Sequence, residues 1–134
     1  MLIRNIHPEG WKKASGYSNG ISVQGARDLV FIAGQVAWDA DQNLVGGDDF
    51  AAQFECALAN VVAVVEAAGG KPEHLVQMTV YVTDKQAYLA SVKRLGPIWR
   101  EHVGATYPTM ALVQVAGLVE DGAMVEIQAT AAIE

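Results

Sequence analysis

The sequence predicts a single α+β domain over residues 1–134, with a mixed sheet that carries two helices on one face. Two long segments repeat their apolar residues at helical spacing. The segments around them are short, rich in β-branched residues and bounded by glycine or proline, as strands are. With 51% apolar residues in 134, the chain is able to bury one core without disulfide or metal staples.

The first strands are predicted near the N-terminus. The short segment "LIRNI" pairs as a strand, and "GISVQGARDLVFIAGQVA" contains two apolar runs on either side of residues 25–28. This pattern predicts a hairpin with a four-residue connection. The second run, "LVFIAGQV", is too apolar for a strand that is wetted on one face.

The two helices are predicted from their caps and stripes. Asp48 or Asp49 caps the first helix, which ends at residues 69–70. Its apolar stripe consists of Phe50, Phe54, Leu58, Val61 and Val65. Asp84 begins the second helix, in which residues 96–97, Gly-Pro, predict a kink. Its apolar positions are Tyr88, Leu95, Ile98 and Trp99.

Three further strands complete a predicted six-stranded sheet. They are "HLVQMTVYVT" between the helices, then "MALVQVAGL" and "AMVEIQATAAI", which a turn at residues 120–122 separates. Helices on one face leave the other face of the sheet without a partner in a monomer, and exposed apolar surface of this kind marks an interface. The sequence therefore predicts a closed oligomer that buries some of Val30, Ile32, Val80, Val113, Val115 and Ile127.

Composition excludes several classes of function. Nine basic residues against 15 acidic ones, with a pI near 4.9, argue against nucleic acid as a partner, because phosphate binding needs clustered cations. No apolar run approaches the roughly 20 residues that span a bilayer, so no membrane partner is expected. With one cysteine and no secretion signal, the predicted compartment is the cytoplasm.

Neither a cofactor nor a metal is expected. His7, His74 and His102 are far apart in the sequence and lack the i, i+4 spacing of helical metal ligands. Cys56 lies on a helix face of small residues, where a packing role is favoured over a nucleophile or redox sensor.

Several segments together resemble the Rid family, also called the YjgF/UK114 family, over nearly the whole chain. They are "SGYSNGI", "VFIAGQVAWD", "LANVVAVVEAAGG", "VYVTD" and "YPTMALVQVAGL" followed by "VEIQA". The resemblance implies a fold like that of chorismate mutase and a homotrimer whose sheets line a central barrel. It also implies three clefts between subunits, where active members hydrolyse enamines and imines derived from amino acids and release ammonia.

At several positions the chain departs from the family's pattern. Deaminating members carry proline, any residue and then arginine, and that arginine holds the substrate carboxylate; here the triplet is Pro108, Thr109 and Met110. Charge-assisted hydrogen bonds of that kind are worth roughly 1.5–3 kcal/mol each, and methionine makes none. Where the family commonly has a glutamate four residues later, this chain has Gln114, and where it often has serine or threonine before the Gly-Gln pair, this chain has Ala33. The predicted pocket is therefore less polar than in the deaminating members.

Other members of the site match. Glu126 matches the glutamate that the family uses around the attacking water, although a solvated strand carboxylate is the alternative from the sequence alone. Tyr17 matches a tyrosine that borders the cleft, with packing at a subunit seam as its alternative. The remaining predicted ligand-binding positions are Gly34, Gln35, Met110, Ala111, Leu112 and Gln114.

Two functions from different classes follow. The first is a deaminase-type hydrolase that acts on a C=N or enamine bond of a small metabolite, with Glu126 moving protons and an apolar group of the substrate meeting Met110. The second is a trimer that binds a small metabolite or a partner without turnover. Arg94 and Arg100 on the second helix are the cations that remain as replacements for the missing arginine.

Overall fold

Six strands and two α-helices make up the chain, which a computed structural model describes from residue 1 to residue 134. In order they are β1 (Leu2–Ile6), β2 (Gly20–Gln24), β3 (Asp28–Gln35), α1 (Phe50–Ala67), β4 (Leu75–Val82), α2 (Lys85–His102), β5 (Thr109–Gln114) and β6 (Val125–Ile133). The predicted α+β class, the strand segments and both helices are confirmed.

The strands form two sheets instead of the predicted one. The larger sheet has the order β3-β6-β4-β5, with β4 and β5 parallel and the other pairs antiparallel, whereas β1 and β2 form a separate antiparallel pair. The predicted hairpin between β2 and β3 is therefore wrong. The nearly continuous apolar run of β3 pairs with β6, which is also largely apolar. Because β6 is distant in the sequence, the residues of the local turn do not predict this pairing.

Helix α1 is the centre of the core. Asp49 caps it by accepting hydrogen bonds from the backbone N–H groups of Ala51 and Ala52, and the N–H of Gly70 closes the C-terminal end on Val65. Its 18 residues are as apolar as those of a helix able to cross a membrane, but half of them are buried inside the domain, as in a core helix.

Helix α2 is continuous through Gly96 and Pro97. Proline lacks the N–H that would bond the carbonyl of Lys93, but the packing of Leu95 and Trp99 into the core keeps this turn in place. The helix therefore continues past the position of the predicted kink.

The two faces of the large sheet differ from the expectation. Four of the residues predicted to lack a partner pack in or against the helix-covered core: Val30, Ile32, Val80 and Ile127. The open face instead exposes Leu29, Phe31 and Val113, and Phe31 keeps 77% of its surface. The apolar area on this face is therefore concentrated on the edge strands.

One buried polar side chain ties the loops to the core. The amide nitrogen of Gln53 donates to the carbonyls of Gly47 and Gly122, at 2.8 and 3.0 Å, and its oxygen accepts from the N–H of Met124 at 2.8 Å. Gln53 is fully buried. It therefore anchors the loop before α1 and the loop before β6 to the first turn of the helix.

An ion pair joins the two helices at the surface. The guanidinium of Arg94 donates to both carboxylate oxygens of Asp49, at 2.8 and 2.9 Å. This contact holds the pKa of Asp49 below its usual range. Arg94 is thus engaged in helix packing.

We expect the Asp49 carboxylate to make stability depend on pH. Because its pKa is lower in the folded state, its contribution is present above the unfolded value and is lost as the pH falls through the folded value, that is below about pH 4. Asparagine also caps helices, so Asp49→Asn removes the charge while keeping the cap. Thermal unfolding between pH 3 and 7 should give a smaller loss of Tm in acid for Asp49→Asn than for wild type and Asp48→Asn; superimposable profiles would contradict this.

Candidate functional site

The start of β5 is fixed by contacts from two other parts of the chain. The ring of Tyr107 stacks on Trp99 with centroids 5.5 Å apart. Buried Ser18 donates its hydroxyl to the carbonyl of Tyr107 at 2.6 Å and its backbone N–H to the carbonyl of Pro108 at 3.0 Å. These bonds hold the loop with Tyr17, which is 43% exposed, beside the proline that opens the strand.

Met110 points to the helix side of the sheet. It pairs in register with Met78, a core residue, and its side chain lines a pocket of about 340 Å³ between β5, α2 and the loop at residues 15–16. The other lining side chains are mostly apolar: Phe54, Val80, Tyr88, Val92, Leu95, Trp99, Tyr107 and Leu112. No charged side chain lines this pocket.

Glu126 lies on the open face of the sheet, in register with Tyr81. Its carboxyl group lies directly over Gly34, where β3 bulges between Ile32 and Gln35. A Cβ at position 34 would approach the carboxyl carbon of Glu126 to 2.8 Å, which is closer than side chains pack. Gly34 therefore serves Glu126 by leaving room for the carboxylate.

Met110 and Glu126 do not share a pocket within one chain. Residues that pair across adjacent strands lie on the same face, so Met110 belongs to the face of Met78 and Glu126 to the face of Tyr81. The strand β4 also separates β5 from β6. Within a single subunit, therefore, the Glu126 carboxylate does not lie beside Met110.

The remaining predicted residues take separate places. Leu112 lies on the Met110 side and Ala111 on the open side of β5, which is an edge strand with backbone groups free on one side. Gln35 folds back to donate to the carbonyl of Ala33 at 3.0 Å. The amide oxygen of Gln114 accepts from the N–H of Lys85 at 2.8 Å and so stabilises the first turn of α2.

Two other groups have structural partners. Burial raises the pKa of the Cys56 thiol, which lies 3.5 Å from the carbonyl of Trp38, so the reactive thiolate is disfavoured. His102 is hydrogen-bonded to Glu55 across the helices at 3.1 Å, and a carboxylate of Glu101 lies within 4.8 Å of both. The sequence missed this cluster because its members come from two helices.

The sequence did not reveal the role of Ser18 or the aromatic wall that Trp99 and Tyr107 form by stacking. It left open whether Trp99 walls a cleft or packs in the core, and the eight-residue separation from Tyr107 gave no indication that the two rings stack. The indole N–H of Trp99 donates to the carbonyl of Thr106 at 3.0 Å, which fixes the wall's orientation. Only the turn of the chain after α2 brings these groups together.

These features define the class of protein: a small α+β domain that has an apolar pocket beside an edge strand and a carboxylate over a glycine at a strand bulge. The sequence profile described as Endoribonuclease L-PSP matches residues 10–133, and the chain belongs to this family, the Rid or YjgF family. The predicted family is confirmed.

Three relatives place the chain within it. A solved Rid family protein of unknown function, YyfB from Yersinia pestis, is 34% identical with a TM-score of 0.87, covering 99% of this chain and 100% of its own. TdcF from E. coli, solved with bound serine, is 31% identical with a TM-score of 0.70, over 98% and 99% of the chains. The 2-iminobutanoate/2-iminopropanoate deaminase of Salmonella typhimurium is 36% identical over 103 residues, 77% of this chain and 78% of that protein.

Proposed function

We propose that the protein is a homotrimeric hydrolase, located in the cytoplasm, that cleaves a C=N or enamine bond of a small metabolite. The observation that carries this proposal is the placement of the Glu126 carboxylate over Gly34. Gly34 leaves room for the Glu126 carboxylate, which is what a site that uses this carboxylate for proton transfer requires. A relative named as an imino acid deaminase supports the reaction class.

The proposed cleft combines two subunits. Because Met110 and Glu126 lie on opposite faces of the sheet, one subunit supplies the Met110 pocket and a neighbour supplies Glu126. The exposed edge residues Leu29 and Phe31 support such an association, since apolar surface of this kind is buried at interfaces.

The proposed chemistry is the hydrolysis of an imine. Glu126 takes a proton from water, whose oxygen attacks the carbon of the C=N bond, and the carboxyl group then passes the proton to the nitrogen. Glu126 next takes the hydroxyl proton of the resulting carbinolamine and passes it to the same nitrogen as the C–N bond breaks, so that a carbonyl forms and ammonia leaves. In this proposal, backbone groups of the edge strand β5 near Ala111 and Leu112 hold the water or the developing oxyanion, since main-chain donors do not depend on side-chain identity.

The apolar pocket sets the expected selectivity. With methionine at position 110 and no charged side chain in the lining, 2-aminoacrylate and 2-iminobutyrate lose the contact that would hold their carboxylates. We expect ammonia release from imines that carry an apolar or aromatic group, and release from these two acids that is lower by at least about tenfold.

The measurement is steady-state ammonia release from a panel of matched imines, with Glu126→Gln as the inactive control. Deamination of the two small acids at the rate of the panel's best substrate would contradict the selectivity. Binding of panel compounds without any Glu126-dependent turnover would replace the hydrolase with the second candidate, a non-catalytic binding trimer, which the uncharged lining of the Met110 pocket also favours.

A further inference from the structure

Helix α2 carries an arginine with no partner beside Gly96, a residue that lines the Met110 pocket. Tyr88, Val92 and Gly96 follow one another at four-residue intervals and all line the pocket, so they form a row along one face of the helix. Arg100 is the next member of that row. Its side chain turns back along the helix towards Gly96: a Cβ built on Gly96 would lie 3.5 Å from Nη1 of Arg100.

The other arginines are engaged. Arg27 pairs with Asp28 and Arg94 with Asp49, each at 2.8 Å, and Arg4 donates to the hydroxyl of Ser22. Arg100 makes no ion pair and no side-chain hydrogen bond, although the chain carries a net charge of −6. A guanidinium in this position is available to a ligand.

We propose that Arg100 is a specificity-determining residue that binds the anionic end of a ligand whose apolar body occupies the Met110 pocket. The ligand class is an aromatic or branched apolar compound with a carboxylate separated from that body. The stacked pair Trp99 and Tyr107 provides a flat wall for a ring, and the planar guanidinium forms two parallel hydrogen bonds with a carboxylate. The inference rests on the proposed function only for its statement that such a ligand is the substrate.

This arrangement is different from a carboxylate bound on β5. The anion is held beside α2 near Gly96, while Met110 contacts the apolar body. Small imino acids have no apolar body to span that separation. With no cation at position 110 of the strand and with Arg100 on the helix, the pocket therefore selects for longer ligands.

The test compares two probes that differ only in charge, 3-phenylpropionate and 3-phenylpropionamide, by titration calorimetry. Wild-type protein should bind the acid about tenfold more tightly than the amide, and Arg100→Met should remove this difference while leaving the amide's Kd unchanged. Arg100→Lys should retain part of the preference, because lysine is a point charge without the fork geometry. Lys93→Met, which removes an exposed cation from the same helix, is the matched control and should behave as wild type.

Several outcomes would overturn the inference. They are equal binding of acid and amide by wild type, binding of neither probe, an equal loss for both probes in Arg100→Met, or the same loss in Lys93→Met. Glu126→Gln separates the two proposals, since it should keep the acid preference while losing turnover. If the preference depends on Arg100 but no variant or wild type releases ammonia from any imine, Arg100 remains an anion-binding residue and the hydrolase proposal fails.

Discussion

Replacing Glu126 with glutamine is expected to lower kcat/KM for ammonia release by about 10²–10⁴-fold, the range that one general acid–base group contributes. Glutamine keeps the size of the side chain over Gly34 but accepts no proton from water. The measurement is the initial rate with the best imine of the panel, alongside Tm and the mass of the assembly. A variant with unchanged stability and unchanged rate would remove Glu126 from the mechanism.

A change in the glycine below the carboxylate offers an independent version of this experiment. Gly34→Ala leaves Glu126 in the sequence but displaces its carboxyl group, because the new Cβ would approach the carboxyl carbon to 2.8 Å. Gly117→Ala is the control, since a Cβ there meets nothing within 4 Å. Loss of activity in the first variant and not in the second would show that the position of the carboxylate matters.

Subunit mixing tests where the two halves of the cleft come from. Met110→Trp should fill the apolar pocket and Glu126→Gln should remove the base, so each variant alone should be inactive. Joint refolding should restore about a quarter of the wild-type activity, because in a random mixture that fraction of clefts pairs an intact pocket with an intact carboxylate. No recovery in verified mixed trimers would contradict a shared cleft.

The second large effect is on stability. Gln53→Leu is expected to lower the free energy of unfolding by about 2–4 kcal/mol, since it removes three partly buried hydrogen bonds, to the carbonyls of Gly47 and Gly122 and from the N–H of Met124. That is a large part of the roughly 5–15 kcal/mol by which a domain is stable. Urea unfolding monitored by tryptophan fluorescence measures the change.

The control for this experiment is Gln86→Leu, because Gln86 is exposed on α2 and its side chain makes no hydrogen bond. Its effect should be within about 0.5 kcal/mol of zero. A loss below about 1 kcal/mol for Gln53→Leu would mean that water or loop movement satisfies the three backbone groups.

Local patterns predicted the elements well. The stripe from Phe50 to Val65 and the alternating, β-branched run of β4 depend on spacing within one element, and both elements lie where their spacing places them. The helix continues through Gly96 and Pro97 because tertiary packing of Leu95 and Trp99 outweighs a local propensity. The importance of Gln53 could not be predicted, since its partners lie in loops as far along the chain as residue 124.

Strand pairing and the geometry of the candidate site lay beyond the sequence. The partner of β3 is about 100 residues away, and only the register of β6 reveals that Glu126 lies on the face opposite Met110. Likewise, the sequence alone does not distinguish Arg94 from Arg100, since both lie on the second helix. The structure separates them, because one is bound by Asp49 and the other follows the row that lines the pocket.

The placement of the pocket and the carboxylate on opposite faces of one sheet makes recognition and chemistry separable. Side chains around Met110 pack against α2, whereas Glu126 depends on the bulge at Gly34, so a substitution in one set leaves the packing of the other undisturbed. In the proposed assembly, the range of compounds accepted is therefore free to change while the hydrolytic group stays in place. Selectivity is adjustable from the helix side alone, which makes positions 110 and 100 the natural sites for redesign.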